Sequence, residues 1–253
     1  MKASGRKPPG APRRRTVAIV AAAGIGRRFG GTRNKQYVGL AGRPVLAWSL
    51  AALQACPLID EIIPVVHEQE LGATADLLDR FGGAKILRVV PGGKERQDSV
   101  LNGLAAIADD SCIVVIHDGA RPLVAPETVA AAIQALEGVD GAVVAMPVKD
   151  TIKQAVAGAG DCLVALTLDR TRLWIIQTPQ VFLYETLKAA MERAKKEGFF
   201  GTDDAAVIER YGGSVRIIAG SSRNIKITTP EDLLIAEAFL AMPEGGTTGQ
   251  DFG

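Results

Sequence analysis

The chain has 253 residues, 47% of them hydrophobic and 5% aromatic, with a formal net charge of +1. That composition suits one globular domain with a sizeable core, and nothing in the global charge would seek nucleic acid. No apolar run approaches membrane-spanning length, and three widely spaced cysteines without a Cys-x-x-Cys pair suit a reducing cytoplasm rather than a disulfide framework.

Charge is unevenly spread. Residues 1–15 hold Lys2, Arg6, Lys7, Arg13, Arg14 and Arg15 and no acid, which leaves the remainder net negative. A Pro/Gly/Arg-rich stretch of this kind lacks the apolar residues of a core and the hydrophobic segment of a secretory signal, so an unstructured basic extension is expected.

From Val17 an apolar run reads as a buried strand that breaks into Ala21-Ala22-Ala23-Gly24-Ile25-Gly26 and then into Arg27, Arg28, Arg33 and Lys35. Small residues let backbone N–H groups approach an oxyanion, and cations neutralise it, so this stretch outlines a polyphosphate site. Further along, Leu46, Leu50 and Leu53 recur at helical spacing over Val45 to Ala55. A second strand is expected over Glu61–His67, a helix over Glu68–Arg80, a third strand over Ile86–Val90 and a helix over Glu95–Ala108. Cys112–His117 reads as a fourth strand ending at Asp118, Pro126–Leu136 as a helix and Gly141–Val148 as a fifth strand. Alternation of this kind means right-handed crossovers and a mainly parallel sheet. Asp150 to Thr167 breaks the rhythm with β character on either side of Ala157-Gly158-Ala159-Gly160-Asp161, the pattern of a hairpin arm. A strand over Trp174–Gln177 is expected to turn at Thr178-Pro179-Gln180 into a helix over Leu183–Lys196. A short helix over Ala205–Tyr211, a strand over Ser214–Ala219 and a helix over Glu231–Leu240 follow.

Ligands of open parallel sheets bind beyond the carboxyl ends of the strands, and the polar clusters of this sequence fall there. Taken singly they are ambiguous. The glycine loop is neither GxGxxG nor a Walker A motif, and solvated arginines around a tight turn would look the same. Asp118 is placed to hold Mg²⁺ beside phosphates, or to make an Asx-turn or cap. Arg121 suits an anion site or a pair with Asp118, Lys226 resembles any surface lysine, and Asp203-Asp204 reads as a helix start with Thr202 as N-cap. Ser99 has no histidine partner for hydrolase chemistry, and His67 and His117 are too far apart to suggest a zinc site.

In combination the motifs are specific. AAAGIGRRF…KQY, PGGKERQDSV, HDGARP, PVKDTIK, LDRTRLWIIQTPQVF, GTDDA and NIKITTPEDL, in that order from about Val17 to Leu240, resemble the 2-C-methyl-D-erythritol 4-phosphate cytidylyltransferase family of the non-mevalonate isoprenoid pathway. The resemblance implies an α/β, Rossmann-like nucleotidyltransferase fold, a mainly parallel sheet with a projecting β-arm, and a cytoplasmic homodimer joined through the arms. It divides the chain into a tail over 1–15, a cytidylyltransferase domain over 16–241 with its arm at about 149–171, and a flexible end over 242–253. The implied reaction joins CTP to the methylerythritol phosphate with Mg²⁺ and releases pyrophosphate; neither nucleic acid nor membrane takes part. Carried over by motif, Arg28 and Lys35 stabilise the transition state, and Arg170 and Lys226 hold the incoming phosphate. Ala22, Ala23, Gly24, Gly93, Ser99, Asp118 and Arg121 contact CTP, with Asp118 at the metal. Thr151, Arg170, Thr178, Thr202 and Lys226 contact the second substrate, Thr151 and Arg170 across the dimer.

Three positions depart from the family pattern: Lys94 where Asp is common, Gly119 where Ala is commoner, and Arg223 where an acid is frequent. Lys94 leaves base recognition to backbone groups and Ser99, Gly119 is expected only to loosen its turn, and Arg223 removes a second metal carboxylate. Two alternatives are a ribitol-5-phosphate cytidylyltransferase, for which LAGGxGxR and HDSVRP would be expected, and a non-catalytic nucleotide-binding module, which would not need its cations. The Gly-rich end over 242–253 would suit a vestigial linker to a fused cyclase.

Overall fold

Strand β1 (Thr16–Ala22) runs through the middle of the sheet, and its apolar residues show no polar alternation because both of its faces are covered. The computed structural model describes residues 13–24, 34–156 and 162–242. After β1 come a small hairpin, β2 (Gly39–Leu40) and β3 (Arg43–Pro44), then α1 (Val45–Ala55), β4 (Glu61–Val66), α2 (Leu71–Phe81) and a two-residue β5 (Val90–Pro91). They are followed by α3 (Arg96–Ala105), β6 (Ile113–Asp118), α4 (Pro126–Gln134) and β7 (Gly141–Pro147). The second half holds β8 (Lys153–Ala155), β9 (Val164–Thr167), β10 (Trp174–Leu183), α5 (Tyr184–Lys196), α6 (Asp204–Arg210), β11 (Val215–Ala219) and α7 (Pro230–Ala241).

One seven-stranded sheet has the order β11-β7-β10-β6-β1-β4-β5. Its pairs are parallel except the two made by β10, which is antiparallel to both β6 and β7. The mainly parallel α/β sheet expected from the sequence is therefore present. Successive side chains of a strand point to opposite faces. Ala18, Val20 and Ala22 accordingly join Leu46, Leu50, Val129 and Ala132 from α1 and α4, whereas Val17 and Ile19 join Val100, Leu104, Leu187, Met191 and Ile208 from α3, α5 and α6. Two helical layers thus fix the sheet and bring the carboxyl ends of β1, β4 and β6 to one edge.

The differences from the expected elements have physical causes. The turn expected at Thr178-Pro179-Gln180 is the interior of β10, which continues to Leu183 and takes Pro179 inside a register shift between Ile176 and Gln180. Proline has no N–H for a ladder, so a strand accommodates it where the ladder is interrupted. The third strand shrinks from Ile86–Val90 to Val90–Pro91 plus a single Ile62–Ile86 bridge, because at the sheet edge it has one neighbour only. Helix α6 is capped by Asp203, whose carboxylate accepts the Ala206 N–H at 2.8 Å, and not by Thr202. Arg13 and Arg15, which composition assigns to the basic tail, are tied to the domain. Arg13 lies 2.5 Å from Asp60, Arg15 pairs with Glu61, and the Ile113 N–H donates to the Arg15 carbonyl at 2.8 Å.

The arm forms as an antiparallel β8–β9 hairpin with Lys153 opposite Thr167. Its tip, 157–161, lies outside the described residues, as do the two chain ends over 1–12 and 243–253. Val156, Leu163, Val164, Leu166, Trp174 and Ile175 are all exposed along the arm and its root. Among the described residues no helix is long and apolar enough to cross a membrane.

Candidate active site

The polar clusters that follow the strands converge on one open cavity at the carboxyl edge of the sheet. Ala23, Gly24, Lys35, Gly93, Ser99, Asp118 and Lys226 line it, together with Gln36, Lys94 and Arg96. Arg28, Arg27 and Arg33 lie outside the described residues.

One wall is the cradle between β1 and α3. The Gly92 N–H donates to the Val66 carbonyl at 2.7 Å, and a Cβ on Gly92 would sit 2.3 Å from the Cβ of Ala23. Only a residue without a side chain lets the two loops approach so closely. Ser99 shapes the next turn: its hydroxyl accepts the Gly93 N–H at 3.1 Å and donates to the Glu95 carbonyl at 3.2 Å. A capping box between Glu95 and Asp98 closes the first turn of α3. Across the cavity the Gln36 amide donates to the Gly24 carbonyl at 3.3 Å, and its own oxygen is buried without a partner. Ala22 lies in β1 beneath this wall, outside the cavity lining.

The opposite wall centres on Asp118, the last residue of β6. Lys226 Nζ lies 2.7 Å from Asp118 Oδ2, Arg96 Nε 3.4 Å from Oδ1, and Arg121 Nε 3.7 Å from Oδ2. Burial pushes the Asp118 carboxyl up, but Arg96, Lys226 and Arg121 outweigh it and hold the group well below the ordinary carboxylate range. Burial lowers Arg121 from its ordinary value, with Asp118 acting against that fall.

Behind Asp118 a fixed chain of hydrogen bonds sets the loop. His117 is fully buried and its pKa is lowered to about 4, chiefly by burial. The Arg121 carbonyl can only accept, so the His117 Nε2–H donates to it at 3.1 Å. Nδ1 is then the acceptor and takes the Thr178 hydroxyl at 3.1 Å, and the same hydroxyl oxygen accepts the Asp118 N–H at 3.0 Å. Thr178 therefore spends its one hydroxyl proton on His117 and stands behind Asp118, nearly buried and outside the cavity lining. Arg121 in turn donates to the Asn224 carbonyl at 2.7 Å, Asn224 donates to the Thr178 carbonyl at 2.9 Å, and the Ile227 N–H donates to the Ala120 carbonyl at 2.8 Å. These bonds bring the segment carrying Lys226 alongside the end of β6.

Thr151, Arg170 and Thr202 are exposed and do not line the cavity of this single chain. Arg170 donates to the Lys149 carbonyl at the root of the arm. Thr202 sits in a loop held on both sides: the Gly201 N–H donates to Gln97 at 3.3 Å, and Gln180 accepts the Asp204 and Ala205 N–H groups at 3.1 Å each. Of the three departures, Lys94 lines the cavity, whereas Arg223 turns away to the Phe239 ring and carbonyl. Gly119 is tighter than expected, since a Cβ there would lie 2.9 Å from the Cβ of Ala22 and 3.1 Å from Leu46 Cδ1.

Two groups escape the sequence reading. Arg96 also reaches Asp204 Oδ2 at 2.8 Å, 108 residues along the chain. Asp204 is itself 1% exposed, and burial raises its carboxyl from the ordinary value, with Arg96 opposing. PGGKERQDSV and GTDDA contain both residues, but nothing local says that they meet.

An open α/β sheet with a glycine cradle and converging cations beyond its strands defines a protein that handles phosphorylated nucleotides. The sequence profile of the 2-C-methyl-D-erythritol 4-phosphate cytidylyltransferase family matches residues 16–242. Curated relatives of that description include one from Geotalea uraniireducens, 47% identical over 229 residues, covering 89% of this chain and 97% of the relative. Another, from Pelotomaculum thermopropionicum, is 45% identical and covers 91% of this chain and 96% of its own. Among solved structures, the 4-diphosphocytidyl-2C-methyl-D-erythritol synthase of Anaerococcus prevotii superposes with a TM-score of 0.80 at 33% identity, covering 90% of this chain and 97% of that one. The chain belongs to the 2-C-methyl-D-erythritol 4-phosphate cytidylyltransferase family.

Proposed function

We propose that this protein transfers the cytidylyl group of CTP to 2-C-methyl-D-erythritol 4-phosphate and releases pyrophosphate. The observation that carries the reading is the convergence of Lys35, Arg96 and Lys226 with Asp118 on one cavity beside the glycine cradle. An oxygen of the substrate phosphate forms a new bond to the α-phosphorus of CTP, and the bond to the leaving pyrophosphate breaks in line. A phosphate monoester is already nucleophilic, so no strong base is needed. The obstacle is bringing two anions together, which positioned cations overcome. Lys35 serves the α-phosphate side and Lys226 the incoming phosphate. Gly24 and Gly93 offer backbone to the nucleotide, and Ser99, through Gly93, fixes that backbone.

The donor set suits Mg²⁺. Mg²⁺ favours one or two carboxylates plus substrate phosphates, and Asp118 would offer one ionised carboxylate at the cavity wall, its Oδ2 exchanging Lys226 for the ion. When bound, the ion would neutralise phosphate charge as the pentacoordinate centre forms.

The exposed apolar arm supports a homodimer that also completes the site. Thr151 and Arg170 lie exposed at the root of the arm and off the cavity of one chain, which supports the reading that they serve a partner's substrate phosphate. A monomeric sedimentation coefficient at assay concentration would sink that assembly. The buried Cys56 and Cys112 and the unpaired Cys162 suit a cytoplasmic protein.

The deciding assay mixes purified protein with CTP, Mg²⁺ and either methylerythritol phosphate or ribitol 5-phosphate and follows pyrophosphate. Release is expected with the first polyol phosphate; none would overturn the reading, and release with the second alone would reassign the substrate. Lys35→Ala and Lys226→Ala are each expected to lose about 3–4 kcal/mol of transition-state stabilisation, read as kcat. Turnover near wild type in either variant would remove that residue from its role.

A further inference from the structure

Arg96 is the first residue of α3, and the neighbouring Glu95–Asp98 capping box fixes the backbone from which it projects. Its guanidinium spans two carboxylates from distant parts of the chain, Asp118 Oδ1 through Nε at 3.4 Å and Asp204 Oδ2 through Nη2 at 2.8 Å. Burial opposes its charge, but Asp204 and Asp118 prevail and raise Arg96 above its ordinary value. The adjacent Gln97 holds the same loop as Asp204 does, accepting the Gly201 N–H at 3.3 Å and donating to the Phe199 carbonyl at 3.2 Å. Thr202 lies between those two attachments.

Stability is a poor account of this arrangement. Asp204 is buried, but the Arg96 side chain is about a third exposed, so the pair is partly screened by solvent and contributes little net stabilisation. Asp204 Oδ1 is moreover buried with no hydrogen-bond partner, an arrangement that costs stability. What the guanidinium supplies is geometry, because a planar fork fixes two acceptors in direction as well as distance.

We propose that Arg96 is a positioning residue, a clasp between Asp118 on the nucleotide side of the cavity and the Thr202–Asp204 loop on the side of the second substrate. Asp118 then presents Oδ2 toward Lys226 while its Oδ1 stays with Arg96, and the two loops keep one separation as the reacting groups approach. The catalytic part of this inference rests on the cytidylyl-transfer reading; the clasp itself does not.

The test uses the full-length chain. Arg96→Gln alone would strand a buried carboxylate, so the main variant is Arg96→Gln with Asp204→Asn, which keeps the shape at 204, leaves a shorter polar side chain at 96 and removes both charges. Hydrogen exchange reads the clasp without substrate: amides of 118–121 and of 201–206 are expected to exchange faster together. Acceleration confined to 201–206 would overturn the clasp. In the pyrophosphate assay the double variant is expected to lose roughly 10- to 100-fold in kcat, with KM for CTP within about threefold of wild type, as for other residues that orient a reacting group. Arg96→Lys, which can reach one carboxylate but not both in a fixed direction, is expected to fall between the two. Wild-type kcat in either variant, or a loss carried by KM for CTP alone, would overturn the positioning role. Absence of turnover in the wild-type control would count against the cytidylyl-transfer reading and leave the exchange result to decide the clasp.

Discussion

Asp118 concentrates the chemistry of the site in one side chain, and its neighbour shows how little slack surrounds it. The carboxylate is shared by Arg96, Arg121 and Lys226, while its backbone is held through Thr178 and His117. Gly119 follows at once, 2.9 Å from Ala22 at the position of a Cβ. Gly119→Ala would press against a side chain that cannot rotate away, so it is expected to cost about 1–3 kcal/mol of stability. Thermal or denaturant unfolding checks this; an unchanged midpoint would show that the loop yields freely. The expectation that this glycine merely loosens a turn fails because the constraint is a contact with β1, which local sequence does not display. Asp118 and the glycine cradle could be placed because each follows a strand end, where open sheets put ligands, whereas Lys226 looks locally like any surface lysine and was legible only through the combined motifs. Arg96 was not, since an arginine in a first helical turn has no local signature and its partner Asp204 lies 108 residues away. Thr178 was legible as a site residue by motif, yet its hydroxyl is engaged with His117 and Asp118.

Among the elements, α3 does the most to build the cavity. Its first turn supplies Arg96 and Gln97, and Ser99 joins it to the Gly92–Gly93 loop. Asp98 closes that turn by accepting the Glu95 N–H at 3.3 Å and also pairs with Lys195 of α5 at 3.3 Å. Asp98→Ala is therefore expected to cost about 1 kcal/mol, as lost helix caps do, and to lower the melting temperature by roughly 2–4 °C. Calorimetry checks it, and no shift would mean that the cap is redundant. The helices and the central strands could be read from periodicity and continuous apolar runs because burial dictates both. The course of β10 could not. Pro179 signals a break locally, but pairing with β6 and β7 on either side carries the strand past it to Leu183. Edge strand β5 was misread in the other direction, since an apolar run does not reveal that only one neighbour is present to pair with it.

Taken as a whole, the described residues bury most of their apolar side chains in two layers on the sheet and a smaller third cluster around Leu40, Val45, Ile227 and Ala236, while the arm and α7 leave apolar side chains exposed. That architecture was foreseeable from alternating strands and helices; the exposed arm was foreseeable as a hairpin, but what it packs against is not a property of one chain. The near-neutral total charge hides a local imbalance. Among the described residues, Lys35, Lys94, Arg96 and Lys226 line the cavity against Glu95 and Asp118. A concave wall with excess positive charge draws in mobile anions, which a polyanionic ligand must displace on arrival. Capture of the nucleotide should then respond to ionic strength although the protein as a whole is almost uncharged. Raising KCl from about 50 to about 500 mM is expected to lower kcat/KM for CTP roughly tenfold, while the melting temperature moves little. A flat salt profile would mean that fixed hydrogen bonds rather than the field admit the ligand, and the cavity would then work as a mould and not as a lens.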